Sequence, residues 1–330
     1  MATDISTVYN LLDIAKTHNN TIELDVAKLL HKRNGVLRFQ GWQQANQLTS
    51  HLFSKEVGLP VGTERGLGEG TAAEKPQNTQ GQEDLFYVES RSEIDIMMAR
   101  IKGPSFAKWR YNRDMQHSEG LGQSIVTKMF YGTGAPGKLR GLTVRYNALS
   151  YANVKTAGGA VASANTSLWV CQPGEDKFSL LYGMAGAPGS PQGEYSAGFI
   201  NMQDMDVEFV VTDTTTGKGL HKYVTLFDLM MGICVEDDRA VQRMCNINTT
   251  TGAGEVDPEQ VRWMIDSLPD PEGEKLIYCN RLGKFQLKKH TLNQTLWSTQ
   301  PDKYGQMRDF FYGAAIILTE GITNVEAVVS

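Results

Sequence analysis

The spacing of apolar residues changes period several times along this chain, and each change marks an element. Val8, Leu11, Leu12 and Ala15 recur at i, i+3, i+4 and i+7, one face of a helix. Ile22, Val26, Leu29 and Leu30 repeat the pattern, with Asn34-Gly35 as its stop. Two helices this short carry too little apolar surface to stand alone, so the opening reads as an arm that docks on something. The period then drops to two. QLTSHLFSKEV places Leu48 and Leu52 on one face and Thr49, His51 and Phe53 on the other. DLFYVES sets Phe86 and Val88 against Leu85 and Tyr87. Between them runs GLPVGTERGLGEGTAAEKPQNTQG, with six glycines in 24 residues and only Leu59, Val61 and Leu67 as large apolar side chains. Together these predict a long two-stranded hairpin over 46–90 with a loose polar tip. An isolated hairpin is marginal in water and its edges invite pairing, so this one is expected to lie across another surface.

Helical spacing returns at Ser92, the predicted N-cap of a helix with Glu93 and Asp95 in its first turn. Ile94, Met97, Met98 and Ile101 form its stripe, and Gly103-Pro104 ends it. Ser105 opens a longer helix toward Phe130, interrupted in pattern by Gly120 and Gly122 and closed by Tyr131-Gly132. From Gly141 the texture becomes short strands and turns: LTVRYN, SLWVCQ, FSLLYG, DVEFVVTD and the strand-rich HKYVTLFDLMMGICVEDDRAVQRMCNI. PEQVRWMIDSL is a helix with Pro258 at its favoured first position. LIYCN is a buried strand, RLGKFQLKKHTLNQTL reads as helical, and FFYGAAIILTE and ITNVEAVV are strand-like runs around Gly321. The order is α+β, without the regular alternation of a parallel α/β sheet.

Composition narrows the function classes. At 330 residues, 41% apolar and 21% charged, the chain can bury a sizeable core and divide into two or more compact parts. A formal charge of -5 argues against a broad nucleic-acid-gripping face, which needs a Lys/Arg excess. It leaves room for a container around DNA. Cys171, Cys234, Cys245 and Cys279 form no CxxC pair and are expected reduced and buried. The opening MATDISTVYN has neither the basic nor the apolar segment of an export signal, and no window has the roughly 18 apolar residues of a membrane span, so a protein made in the cytosol and apart from membranes is expected.

Candidate chemistry is thin. GLGEGTAA has neither the spacing nor the strand-to-helix context of a nucleotide loop. Asp204, Asp206 and Glu208 alternate onto one strand face, and Glu236, Asp237 and Asp238 cluster, but neither group has the ligand number of a calcium loop. The six histidines never occur as HxH or HExxH, and there is no GxSxG elbow. No catalytic residue, cofactor or metal ligand is therefore assigned. An enzyme using Asp206 and Glu208 is the minor alternative.

One resemblance rises above this background. FYGTGAPGKLRGLTVRYN is followed by AGGAVASANTSLWV, placing Gly141, Leu142, Arg145, Tyr146 and Asn147 ahead of Ala157, Gly158, Gly159, Asn165, Thr166, Ser167 and Trp169. This order resembles the major capsid proteins of tailed bacteriophages, the short-tailed branch in particular. GICVEDDRAVQRMCNIN (232–248) is similar to a second segment of that family, and YGAAIILTEGITNVEAVV, with Asn324, Glu326 and Ala327, to its closing one. The family usually has Gly-x-Pro-Ile before that closing segment, where this chain has Gly313-Ala314-Ala315-Ile316. The resemblance implies the Hong Kong 97-type fold: an N-terminal arm (1–45), an extended hairpin loop (46–90), a peripheral domain with a spine helix (91–140 and 301–330) and an axial domain (141–300). It implies a virion protein, assembled in the bacterial cytoplasm, that forms hexameric and pentameric capsomers of an icosahedral shell around double-stranded DNA held without sequence specificity. Portal, scaffold and cement or decoration proteins would be its partners. Leu48, Leu52, Phe53, Leu59, Val61, Phe86, Tyr87 and Val88 are the expected subunit-interface residues, because the hairpin has no intramolecular partner visible in sequence. A tail-tube or decoration protein is the alternative within the virion.

Overall fold

The computed structural model describes residues 34–58, 60–183, 201–213, 218–250, 252–290, 296–301 and 305–330. The two predicted arm helices and Leu59 lie outside them. Asn34 precedes a short helix, α1 (Gly35–Phe39), whose Val36, Leu37 and Phe39 are buried. After strand β1 (Trp42–Gln44), β2 (Ser50–Gly58) turns back through an irregular tip into β3 (Gln77–Asp84).

That hairpin corrects the predicted one. The partner of β2 is β3, in antiparallel register from Ser50 opposite Asp84 to Gly58 opposite Gln77. DLFYVES belongs instead to β4 (Phe86–Asp95) and pairs elsewhere. The strand β3, QNTQGQED, carries no apolar alternation because it stands clear of the body, exposed at most positions. β4 then runs through Ser92 to Asp95, and Asp95 caps the following α2 (Ile96–Lys102) by accepting the Met97 amide hydrogen at 2.8 Å. The predicted cap at Ser92 fails because the neighbouring strand offers a backbone partner to every residue up to Asp95. As a result Ile94 is buried as a strand residue, whereas Met97 and Ile101 are exposed.

The long helix α3 (Phe106–Tyr131) runs unbroken for 26 residues through both glycines. Its second half buries Leu121, Ile125, Val126, Met129 and Phe130, and its first half is largely exposed. Gly132 then reverses the chain. A methyl group there would overlap the Leu139 carbonyl oxygen, and one at Gly141 would overlap the Gly132 nitrogen, so only glycine fits at either end of this loop. LTVRYN is not a strand but a single helical turn, α4 (Leu142–Arg145).

The remaining elements are β5 (Val154–Thr156), β6 (Asn165–Cys171), β7 (Phe178–Tyr182), β8 (Asn201–Asp213), β9 (Lys218–Val235), β10 (Val241–Asn248), α5 (Pro258–Asp266), β11 (Leu276–Cys279), α6 (Arg281–His290), β12 (Trp297–Pro301), β13 (Met307–Phe311) and β14 (Ala314–Leu318). They form two sheets beside the hairpin. One is organised by β9, which pairs with β4 along one edge and with β8 and then β7 along the other, β1 extending it beyond β7. The second has the order β12-β13-β14-β11-β6-β10-β5. The chain after β14 makes one bridge, Glu326 to Asn165, rather than the second strand expected from ITNVEAVV.

The seven-stranded sheet is buried on both faces, so its central strands read as continuous apolar runs. Trp169, Cys171, Leu276 and Tyr278 face the cluster shared with Phe130, Met129 and Leu142 of the α3–α4 region. The alternate residues Leu168, Val170, Ile277 and Cys279 face a second cluster with Val261, Met264 and Ile265 of α5 and Leu287 of α6. All four cysteines are buried and free. Among the described residues, no helix is long and apolar enough to cross a membrane.

Candidate assembly surface

The hairpin is held to the body at its root. Asn46 brackets β2, accepting the Leu52 amide hydrogen at 2.9 Å and donating to the Leu52 carbonyl at 2.6 Å. Phe53 packs on Ala45, Leu85, Leu181 and Cys234, and its ring lies where a side chain at Gly81 would stand. Arg145, the first-turn neighbour of the Gly132–Gly141 loop, donates both terminal nitrogens to Glu83 of β3, at 2.5 and 2.6 Å. Burial works against the Arg145 charge, but the Glu83 carboxylate outweighs it and raises the guanidinium above its ordinary value. Tyr146 donates to Asp238 at 3.1 Å, and Lys55 of β2 pairs with the same Asp238. Burial and then the Asp238 carboxylate push the Tyr146 phenol up, keeping it a donor. The hairpin is thus clamped to the body through Glu83 and Lys55.

Exposed apolar side chains lie on both sides of the clamp. Leu48, Val61, Leu67 and Tyr87 are all more than half exposed, at 57%, 78%, 109% and 63%. Met97 and Ile101 on α2 and Phe209 on the edge strand β8 add to it. The other predicted interface residues are placed differently. Val88 is buried in the subunit core, and Phe86 packs partly against it. Leu52 and Phe53 are half-buried. The alternation of β4 explains the split: Val88 faces α3, while Tyr87 points outward with its hydroxyl on Asp228 at 2.6 Å.

The segments that carried the resemblance meet around one buried ion pair. Arg243 of β10 and Glu326 of the closing segment lie 2.9 Å apart, with side chains only 4% and 6% exposed. Ser167 of β6 donates to Glu326 at 2.5 Å, and Tyr131 at the end of α3 donates to its other oxygen. Arg243 also donates to the Tyr146 carbonyl at 2.6 Å and lies over the Trp169 ring. Asn280 donates to Asn324 at 2.6 Å, and Asn246 to the Val329 carbonyl at 2.8 Å. This arrangement fixes the closing segment.

The acidic residues of the alternative enzyme reading do not converge. Asp204 pairs with Arg110 at 2.5 Å and Glu208 with Arg91 at 3.0 Å. A bulge between Asp204 and Val207 gives Asp206 a positive φ of 56° and breaks the common face that strict alternation predicts. Asp237 caps the turn before β10 and pairs with Arg239, which outweighs its burial and holds its carboxyl below the usual range.

The comparisons agree with this geometry. A model of the family described as major capsid protein GP7 matches residues 18–330. A search of curated proteins finds no match. Among solved structures, a chain of bacteriophage Epsilon15 superposes with a TM-score of 0.58 at 19% identity, covering 88% of each chain. The capsid of bacteriophage JBD30 gives a TM-score of 0.47 at 8% identity over 87% of this chain and 90% of that one. The fold is the Hong Kong 97-type capsid fold, α+β as the residue patterns indicate. With nearly the whole length matched and this fold behind it, the chain belongs to the major capsid protein GP7 family of bacteriophages.

Proposed function

We propose that this chain self-assembles into hexameric and pentameric capsomers that close an icosahedral shell around double-stranded DNA. The observation that carries this reading is the hairpin: two strands paired only with each other among the described residues, clamped at the root, with Leu48 exposed at that root and Val61 exposed in the tip. Such a ribbon gains stability by covering apolar area on a neighbour, and repeated obligate contacts of this kind commonly bury above ~2,000 Å² each. Leu48, Leu52, Leu59, Val61 and Tyr87 would meet the adjacent subunit, while Phe53, Phe86 and Val88 anchor the hairpin and its neighbour β4 to their own body. The glycines of the tip let one sequence adapt to pentamers and hexamers. No step is catalytic and no cofactor is needed.

Sheet membership suggests a revised division. The extended loop would be 46–84. The peripheral part would hold β4, α2, α3, β8 and β9, and the axial part the seven-stranded sheet with α5 and α6, including β13 and β14. Assembly would take place in the bacterial cytoplasm, with portal, scaffold and cement or decoration proteins as partners.

Deleting 62–76 spares both strands of the hairpin. The expected product is a folded subunit, native by circular dichroism, that fails to close shells. Normal shells from the deletion would sink the proposal.

A further inference from the structure

At the root of the hairpin, three donor groups of different chemistry meet. His51 of β2 is 4% exposed and faces the body beside Phe53, two residues on. Cys234, fully buried near the end of β9, and Glu236, two positions later, lie opposite. One ligand atom from each lies within 4.8 Å of the other two. Sequence spacing could not show this, because the histidine comes from the loop and the other two from the body.

The groups are weakly satisfied as they stand. A ring nitrogen of His51 accepts the Asn46 amide hydrogen at 3.3 Å, the long end of the range. Asn46 is exposed, so water can take over that hydrogen. The Cys234 thiol meets the Glu236 carboxylate at 3.7 Å. Burial raises the Glu236 carboxyl, and Asp176 and Glu175 raise it further. Burial likewise raises the Cys234 thiol.

We propose that His51, Cys234 and Glu236 bind one zinc-class divalent cation that clips the extended loop to the body of its own subunit. Imidazole nitrogen, thiolate and carboxylate are zinc donors, whereas magnesium and calcium call for oxygen ligands. Tetrahedral bonds of ~2.0–2.3 Å set donors ~3.3–3.8 Å apart, so closure needs side-chain shifts of roughly 1 Å. On binding, Cys234 releases its thiol proton to solvent, the ion takes the sulfur lone pair, and water fills the fourth position. The ion's charge offsets the burial of the thiolate and the carboxylate. A metal clip at this point would add to the Arg145–Glu83 clamp and set the angle at which the hairpin leaves the body.

The test is titration of the full-length, chelator-stripped protein with Co²⁺, read by the near-ultraviolet sulfur-to-cobalt charge-transfer band. One Co²⁺ per subunit, displaced by Zn²⁺, is expected. The band should vanish in Cys234→Ser, and affinity should fall in His51→Gln and Glu236→Gln by more than the roughly 10–100-fold that outer-shell partners carry. No band in the native chain, or an unchanged band in Cys234→Ser, overturns the proposal. If Cys234→Ser does not fold, unchanged affinity in both other variants overturns it equally. Metal binding is read on subunits whether or not shells close, so its failure is distinct from failure of the assembly reading.

Discussion

Replacing Glu326 with alanine isolates the energy that fastens the closing segment. The substitution removes the acceptor for Ser167, Tyr131 and Arg243 at once and leaves the Arg243 guanidinium 4% exposed without its counter-charge. Breaking a buried pair by removing one partner typically costs about 3–5 kcal/mol. Both side chains here are almost fully enclosed, so no discount for solvent screening applies. Arg243 keeps its donation to the Tyr146 carbonyl at 2.6 Å and its place over Trp169, which puts the expected loss toward the lower end of that range. The assay is urea unfolding of the unassembled subunit, comparing Glu326→Ala with the cycle of wild type, Glu326→Met, Arg243→Met and the double variant Glu326→Met/Arg243→Met. The double variant should be more stable than Glu326→Ala, because two apolar side chains leave no buried charge behind. The cycle should give a coupling of the order of 1–3 kcal/mol. A loss below about 1 kcal/mol in Glu326→Ala, or strict additivity in the cycle, would refute the reasoning.

Three further outcomes follow from the same geometry. Gly132→Ala forces a methyl into the Leu139 carbonyl and should cost about 1–3 kcal/mol in the same urea assay, while Gly137→Ala, which meets no atom but has a φ of 73°, should cost less. The native subunit at neutral pH should react with no thiol reagent at its four buried cysteines, of which Cys279 is pushed up to about 12 by burial, and all four should react in denaturant. The hydrogen bond from Lys222 holds the Glu93 carboxyl below its usual 4.5, so its contribution is present above that pH and is lost as pH falls through the lower folded value. Acid unfolding should therefore lose pH dependence in that window in Glu93→Gln, and an unchanged acid limb would remove Glu93 from the account.

Much of this fold was legible where packing and local pattern agree. The 26-residue α3, its stop at Gly132, the buried strand SLWVC and the Pro258 helix all follow from period and punctuation. The failures share a cause: a partner distant in sequence decided the structure. β4 outran the cap signal at Ser92 because β9 bonded to it through Asp95. The second arm of the hairpin was missed because QNTQGQED, exposed along most of its length, has no apolar face to read. The resemblance rested on glycines, Arg145, Tyr146, Ser167, Glu326 and asparagines. Of these, Arg145 and Tyr146 clamp the hairpin, and Asn165, Ser167 and Glu326 fasten the closing segment, contacts with no spacing signature of their own. The departure at Ala315 also has a local reason, since its amide hydrogen is donated to the Lys275 carbonyl at 2.9 Å, a bond proline could not make. Alternation found the apolar positions, but which of them the subunit keeps for its own core depends on β9.

The most direct test of the account is electron cryo-microscopy of the particles this chain forms. The account predicts closed shells of hexamers and pentamers in which each hairpin, from Ser50 to Asp84, lies across the next subunit. Rings or tubes alone, or closed shells whose hairpins fold back on their own subunit, would contradict it.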